Sequence, residues 1–120
     1  MSKYKDLTVW EVSYKLTLSV YRLTNKFPRE EIYGLTSQIR RASVSIPSNI
    51  AEGSKRGSKK DFCHFLVIAQ GSGAELETQL LLSKDLDYIT ITEYNELIFL
   101  LDSVMKMLTV FIKKLSTINQ

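Results

Sequence analysis

Six cations crowd one part of the chain: Arg40, Arg41, Lys55, Arg56, Lys59 and Lys60, opposed between positions 39 and 60 only by Glu52. Clustered guanidinium and ammonium groups neutralise phosphates without reading bases, so they bind nucleic acid in a salt-sensitive way. Asn49, Ser54 and Ser58 can add hydrogen bonds to phosphate oxygens. The span therefore predicts a surface for RNA or DNA, with a solvated, charge-rich turn as the plainer alternative. No aromatic RNA-recognition motif, KH loop or helix-turn-helix pattern accompanies it.

The other reactive side chains do not assemble into a catalytic set. Glu52, Glu75 and Glu77, with Asp61 and His64 three residues apart, invite a metal reading. A di-iron bundle needs two Glu-x-x-His pairs, whereas this chain has one histidine and no such pair. Glu52 and Glu75 are expected instead to pair with Arg40 or Arg41 across helices and fix their register. Cys63 and His64 are adjacent, and adjacent helical residues point about 100° apart, too far for a nucleophile and its base. No catalytic residue, metal or cofactor is expected, and the chain reads as a non-enzyme.

Gly71-Ser72-Gly73-Ala74 lies mid-helix by its surroundings and resembles no phosphate loop, since no strand precedes it and no lysine follows. Small residues there let another helix approach closely. Trp10, Tyr14, Leu18 and Tyr21 form a second apolar stripe on the first helix, more than one bundle helix needs. Trp10, Tyr14, Leu18, Tyr21, Gly71 and Gly73 are together expected at a subunit interface; packing inside the chain is the alternative. A head-to-tail contact between two different faces closes into a ring where the rotation allows.

These residues must be positioned by helices. The chain has 120 residues, five glycines, two prolines and one cysteine. That length suits one domain (1–120) with its own core and no disulfide. No apolar run approaches a bilayer span and no signal-peptide core opens the chain, so a soluble cytoplasmic protein with no membrane partner is expected. Residues 1–60 carry twelve Lys/Arg against five Asp/Glu, and residues 61–120 four against eight, which together give the net +3. Such asymmetry fits a polyanionic partner, or two halves that neutralise each other in the fold.

Apolar spacing is helical throughout. The pattern predicts helices over about 6–26, 29–53, 58–87 and 92–117, with Asp6 and Ser58 as N-caps and Pro28, Glu30 and Glu31 opening the second. Short joints between rods of this length predict an antiparallel up-down-up-down four-helix bundle, an all-α fold. In the second segment the stripe Ile39, Ala42, Ile46, Ile50 passes through Pro47 without losing phase. Either the helix breaks near Ser45 and restarts at Pro47, or it continues with a kink while nearby polar groups meet the freed carbonyl of Ser43. The unbroken stripe favours the kinked helix, and Gly53 reads as its terminator.

The runs EIYGLTSQIRRASVSIPSNIAEGSKRGSKKDF and FLVIAQGSGAELETQL resemble the bacterial 23S rRNA intervening-sequence proteins, a family that includes the accessory variability determinant of diversity-generating retroelements. The resemblance spans about Tyr14 to Ile89, and SIPSNIAEG followed by GSGAELETQL is its most distinctive part. It implies a four-helix bundle with the proline inside helix two and a ring-shaped homopentamer. It also implies a basic surface that, in the retroelement branch, binds nucleic acid and a reverse transcriptase. The expected partners are thus further copies of the chain, RNA or DNA, and a reverse transcriptase or other nucleic-acid enzyme.

Overall fold

The computed structural model describes residues 3–118 as four α-helices and two short 3-10 turns. The helices are α1 (Thr8–Thr24), α2 (Leu35–Ser54), α3 (Lys59–Asp85) and α4 (Ile91–Ile118), and the turns are Tyr4–Asp6 and Arg29–Glu31. Each helix packs on two others: α1 on α2 and α4, and α3 on α2 and α4, with no close backbone approach across the diagonals among the described residues. The result is an all-α bundle 47 × 22 × 21 Å in extent. Its pairings run in opposite chain directions. Thr17 and Thr24 meet Ser43 and Arg40; Ser45 meets Ser72 while Gly53 meets Phe62; Cys63 meets Ile112 while Gln70 meets Thr109.

The periodic stripes supply the core. Leu16 and Val20 of α1, Ile39, Ile46 and Ile50 of α2, Leu66, Leu76 and Leu80 of α3, and Leu101, Val104 and Leu108 of α4 are fully enclosed. A side chain of this size contributes about 1.5–3 kcal/mol when fully buried, so this seam dominates the stability of the rod.

The helix ends differ from expectation in three places. Asp6 does not cap α1: it closes the preceding turn by accepting from the Lys3 amide at 3.3 Å, and Leu7 occupies the N-cap position. The second helix begins at Leu35 instead of 29. Glu31 caps it from outside, its Oε1 accepting from the Leu35 amide at 3.0 Å while its Oε2 accepts from the Tyr88 hydroxyl at 2.9 Å. Both bonds favour the charged carboxylate and hold its pKa below the ordinary value. The third helix ends at Asp85, where Asp87 takes φ 62° and the Tyr88 and Asp87 amides return to the carbonyls of Ser83 and Lys84. That bonding is a Schellman stop.

One cap stands where the sequence puts it, and a second opens α4 at Ile91. Ser58 accepts from the Asp61 amide at 3.1 Å to open α3. Thr90 and Glu93 exchange backbone and side-chain bonds of 2.8 and 3.1 Å to open α4, a reciprocal capping box. Glu93 is further gripped by Lys26 at 2.6 Å, and its pKa is lowered chiefly by that contact.

α2 is one uninterrupted helix with Pro47 inside it. Proline has no N–H, so the Ser43 carbonyl one turn back loses its helical donor. The replacement comes from the neighbouring helix, where Thr17 Oγ1 donates to Ser43 O at 2.9 Å. The Ser43 hydroxyl is committed elsewhere, to the Arg40 carbonyl at 2.9 Å. Gly53, expected as a terminator, lies within the last turn of α2 and has no left-handed backbone. Its role is close approach: a Cβ there would sit 2.7 Å from Phe65 Cβ and 3.0 Å from Phe62 Cδ1. The missing methyl lets the aromatic start of α3 close against α2.

Candidate nucleic-acid interface

The turn between α2 and α3 carries Lys55, Arg56, Lys59 and Lys60, all exposed. Arg56 is braced by Glu52, Nη2 to Oε2 at 3.0 Å, and lies 4.9 Å above the Phe65 ring. Lys55 Nζ sits 5.8 Å from the centroid of the Tyr4 ring. Lys59 and Lys60 occupy the first turn of α3 and have no carboxylate within 4.0 Å among the described residues. Cations at a helix N-terminus oppose the dipole. They therefore cost a little stability and stay available to an external anion.

Arg40 does not belong to this surface. Its Nε donates to Thr24 Oγ1 at 2.8 Å and its Nη2 to Asn25 Oδ1 at 3.1 Å, while the guanidinium stacks 4.9 Å over Tyr21. It fastens α2 to the end of α1. Arg41 points about 100° away into a polar groove between α2 and α3 that also holds Gln38, Ser45, Glu75 and Gln79. Both arginines stand 14 or more residues before the turn, about 20 Å along the axis at 1.5 Å per residue. The six-residue patch thus contracts to four.

The bundle adds cations that spacing along the chain does not reveal. Antiparallel packing brings the start of α1 and the end of α4 to the same pole as the α2–α3 turn: Tyr4 lies under Lys55, Cys63 Sγ is 3.7 Å from Ser116 Oγ, and Lys114 borders a groove with Leu7 and Thr8. Lys3, Lys5, Lys113 and Lys114, all exposed, join the four of the turn. That pole holds eight cations against Asp6, Glu11, Glu52 and Asp61. The opposite pole holds Glu30, Glu31, Asp85, Asp87, Glu93 and Glu96 against Arg22, Lys26, Arg29 and Lys84. The rod is electrically polarised along its length.

The expected interhelical ion pairs are replaced. Glu52 pairs with Arg56 on the next turn of its own chain segment, not with Arg40 or Arg41. Glu75 shares the groove with Arg41 but makes no ion pair within 4.0 Å among the described residues. The Asp61 backbone amide donates to the Ser58 cap of α3, and the His64 ring meets Phe65 edge-on at 5.6 Å. Among the described residues, no three His, Cys, Asp or Glu side chains gather as metal ligands do, and no helix is long and apolar enough to cross a membrane.

The six residues expected at a subunit interface separate into two classes. Trp10 stacks on Tyr14 at 4.9 Å and meets Tyr4 edge-on at 5.4 Å, and Tyr14, Leu18 and Tyr21 remain exposed along the same side of α1. Gly71 is open, with no atom within 4 Å of where a Cβ would sit. Gly73 is the correction. It is buried against α4, where a Cβ would collide with Met105 Sδ, so its smallness serves packing within the chain.

The model of the 23S rRNA-intervening sequence proteins matches residues 5–110. The chain belongs to this family. The match takes in Trp10, Pro47 and the whole α2–α3 turn, while Lys113 and Lys114 fall beyond its end. No curated protein matches the chain. Among solved structures, it is similar to a protein of unknown function from the S23 ribosomal protein family of Bacteroides thetaiotaomicron. The two share 27% identity at a TM-score of 0.80, covering 88% of this chain and 99% of the other. Within the family fold, the basic pole and the aromatic side of α1 are the surfaces with the most evident chemistry.

Proposed function

We propose that this chain is a non-enzymatic, homo-oligomeric bundle whose basic pole binds the phosphate backbone of RNA or DNA, alone or as accessory to a nucleic-acid enzyme such as a reverse transcriptase. The observation that carries the reading is the convergence of eight exposed cations from three chain segments on one end of the rod. Such a pole recognises charge and not sequence, because its cations neutralise phosphates and the Tyr4, Trp10 and Tyr14 rings beside Lys55 offer only sequence-tolerant stacking. Assembly supports it further, since several copies multiply a weak contact into an avid one.

The assembly proposed is a head-to-tail ring, five-fold by analogy with the family. α1 and α3 lie diagonally in the bundle, their backbones well apart among the described residues. The aromatic side of α1 and the outer side of α3 at Gly71 and Ala74, where small side chains leave a hollow, therefore face different directions. A contact between two such faces is heterologous, the kind that closes into rings.

The test is charge reversal of Lys55, Arg56, Lys59 and Lys60 together, read by retention of single-stranded RNA and duplex DNA across a salt series. Four phosphate contacts per copy give a log–log salt slope of about −3 on single strands. The reversed protein, unchanged in helicity, is expected to lose most of that slope. Undiminished binding would remove the pole from consideration.

The exposed aromatics of α1 also favour a second reading, a scaffold for other proteins in which the cations are incidental. Partners captured from lysate that survive nuclease treatment support it.

A further inference from the structure

α4 carries an ordered face that the bundle does not use. Opposite its core residues Leu97, Leu101, Val104 and Leu108, the positions Glu96, Phe99, Ser103, Lys106, Val110 and Lys113 recur at alternating spacings of three and four. That is the spacing of a coiled-coil seam. Phe99 is 72% and Val110 63% exposed, the two largest apolar exposures among the residues of this helix whose burial is described. Single exposed apolar residues are ordinary, but these two are arranged. Phe99 lies as far before the point between Ser103 and Lys106 as Val110 lies after it, and Glu96 and Lys113 are balanced about the same point.

We propose that this face docks a second copy of the chain, α4 against α4, antiparallel and isologous. In that register Phe99 meets the partner's Val110, Glu96 meets the partner's Lys113, and Ser103 meets the partner's Lys106, each contact occurring twice. Beside Val110 a shallow apolar groove between α4 and the start of α1, lined by Leu7, Met107 and Phe111, gives the incoming phenyl ring a floor. Charge selects the direction. A parallel pairing sets Glu96 against Glu96, Lys106 against Lys106 and Lys113 against Lys113, whereas the antiparallel one opposes unlike charges. The contact is separate from the α1 stripe, which lies on another helix.

Sedimentation of the purified full-length chain tests this, with Glu96→Lys, Lys113→Glu, the two combined, and Phe99→Ser. Each single charge change places like charges in contact twice per pair and is expected to weaken self-association by about ten- to a hundredfold. The combined swap, which restores unlike charges, recovers it. Phe99→Ser removes two buried rings and is expected to weaken association by about a hundredfold or more. Circular dichroism should be unchanged throughout, because all three residues are exposed. Where the contact is lost the particle mass halves, whether the starting particle is a pair or a pair of rings. A Tyr14→Lys variant, which addresses the α1 stripe, keeps the two-copy contact, so the ring and the α4 pairing fail separately. A wild type that sediments as one copy, a mass unmoved by Phe99→Ser, or a combined swap no better than its singles overturns the proposal.

Discussion

Replacing Thr17 by valine keeps the shape of the side chain and deletes one hydroxyl. Thr17 Oγ1 lies 3.0 Å from its own helix's Ser13 carbonyl and 2.9 Å from the Ser43 carbonyl on α2. Its single proton matters more to the second. Ser13 O already receives the amide of residue 17 in a regular helix, whereas Pro47 leaves Ser43 O with none. Ser43 is fully buried, so water cannot substitute without opening the α1–α2 contact. An orphaned buried acceptor costs about 1–3 kcal/mol. Unfolding entropy of about 2.1 cal/mol/K per residue converts that to a fall in Tm of about 4–12 °C for a chain of this length. The decisive measurement is a double-mutant cycle with Pro47→Ala. Alanine restores an amide that can return to Ser43 O, so Thr17→Val should cost under about 0.5 kcal/mol in that background, leaving a coupling of about 1–2 kcal/mol. Thermal or urea melts of the four proteins give the number. An equal cost of Thr17→Val in both backgrounds would refute the account of how α2 tolerates its proline.

Glycine replacements should split by environment. Gly53→Ala gains about 1 kcal/mol of helix propensity but drives a methyl against Phe65 Cβ at 2.7 Å, an atom close to the backbone that cannot swing away. A net loss of stability is expected. Gly71→Ala meets nothing and should stabilise the single chain by up to about 1 kcal/mol, while weakening any assembly that uses that hollow. Asp87→Gly should stabilise by about 0.5–1 kcal/mol, because the left-handed φ of 62° at the end of α3 suits glycine better. Glu31 and Glu93 both titrate below the ordinary 4.5 in the fold. Their contributions are intact above that pH and drain away as acid takes it down through the depressed values. Glu31→Gln should therefore melt lower at neutral pH and show a shallower acid decline than wild type; superimposable acid limbs would contradict the capping role.

Most of the helical layout was legible because amphipathic spacing is a local property. Leu16, Ile39, Leu76 and Leu101 each announce a buried face through neighbours three and four residues away, and Ser58 announces a cap through its distance from the helix it opens. The start of α2 was misread because Pro28, Glu30 and Glu31 make a good helix opening, whereas Glu31 caps α2 from outside, held in place by Tyr88 from a distant loop. Arg40 was misread for a related reason. A cation beside another cation suggests a patch, and only the arrival of Thr24, Asn25 and Tyr21 from α1 turns it inward.

Local periodicity alone thus determined four amphipathic helices, their approximate lengths and their apolar faces, since each depends on residues within a turn or two of one another. Tertiary packing decided which polar groups are spent and which are free. It supplied Thr17 to the carbonyl that Pro47 strands, buried Gly73 under Met105, and gathered Lys3, Lys5, Lys113 and Lys114 around the α2–α3 turn. Charges and hydrogen-bonding groups act through space, and residues more than a hundred positions apart become neighbours only when antiparallel rods close.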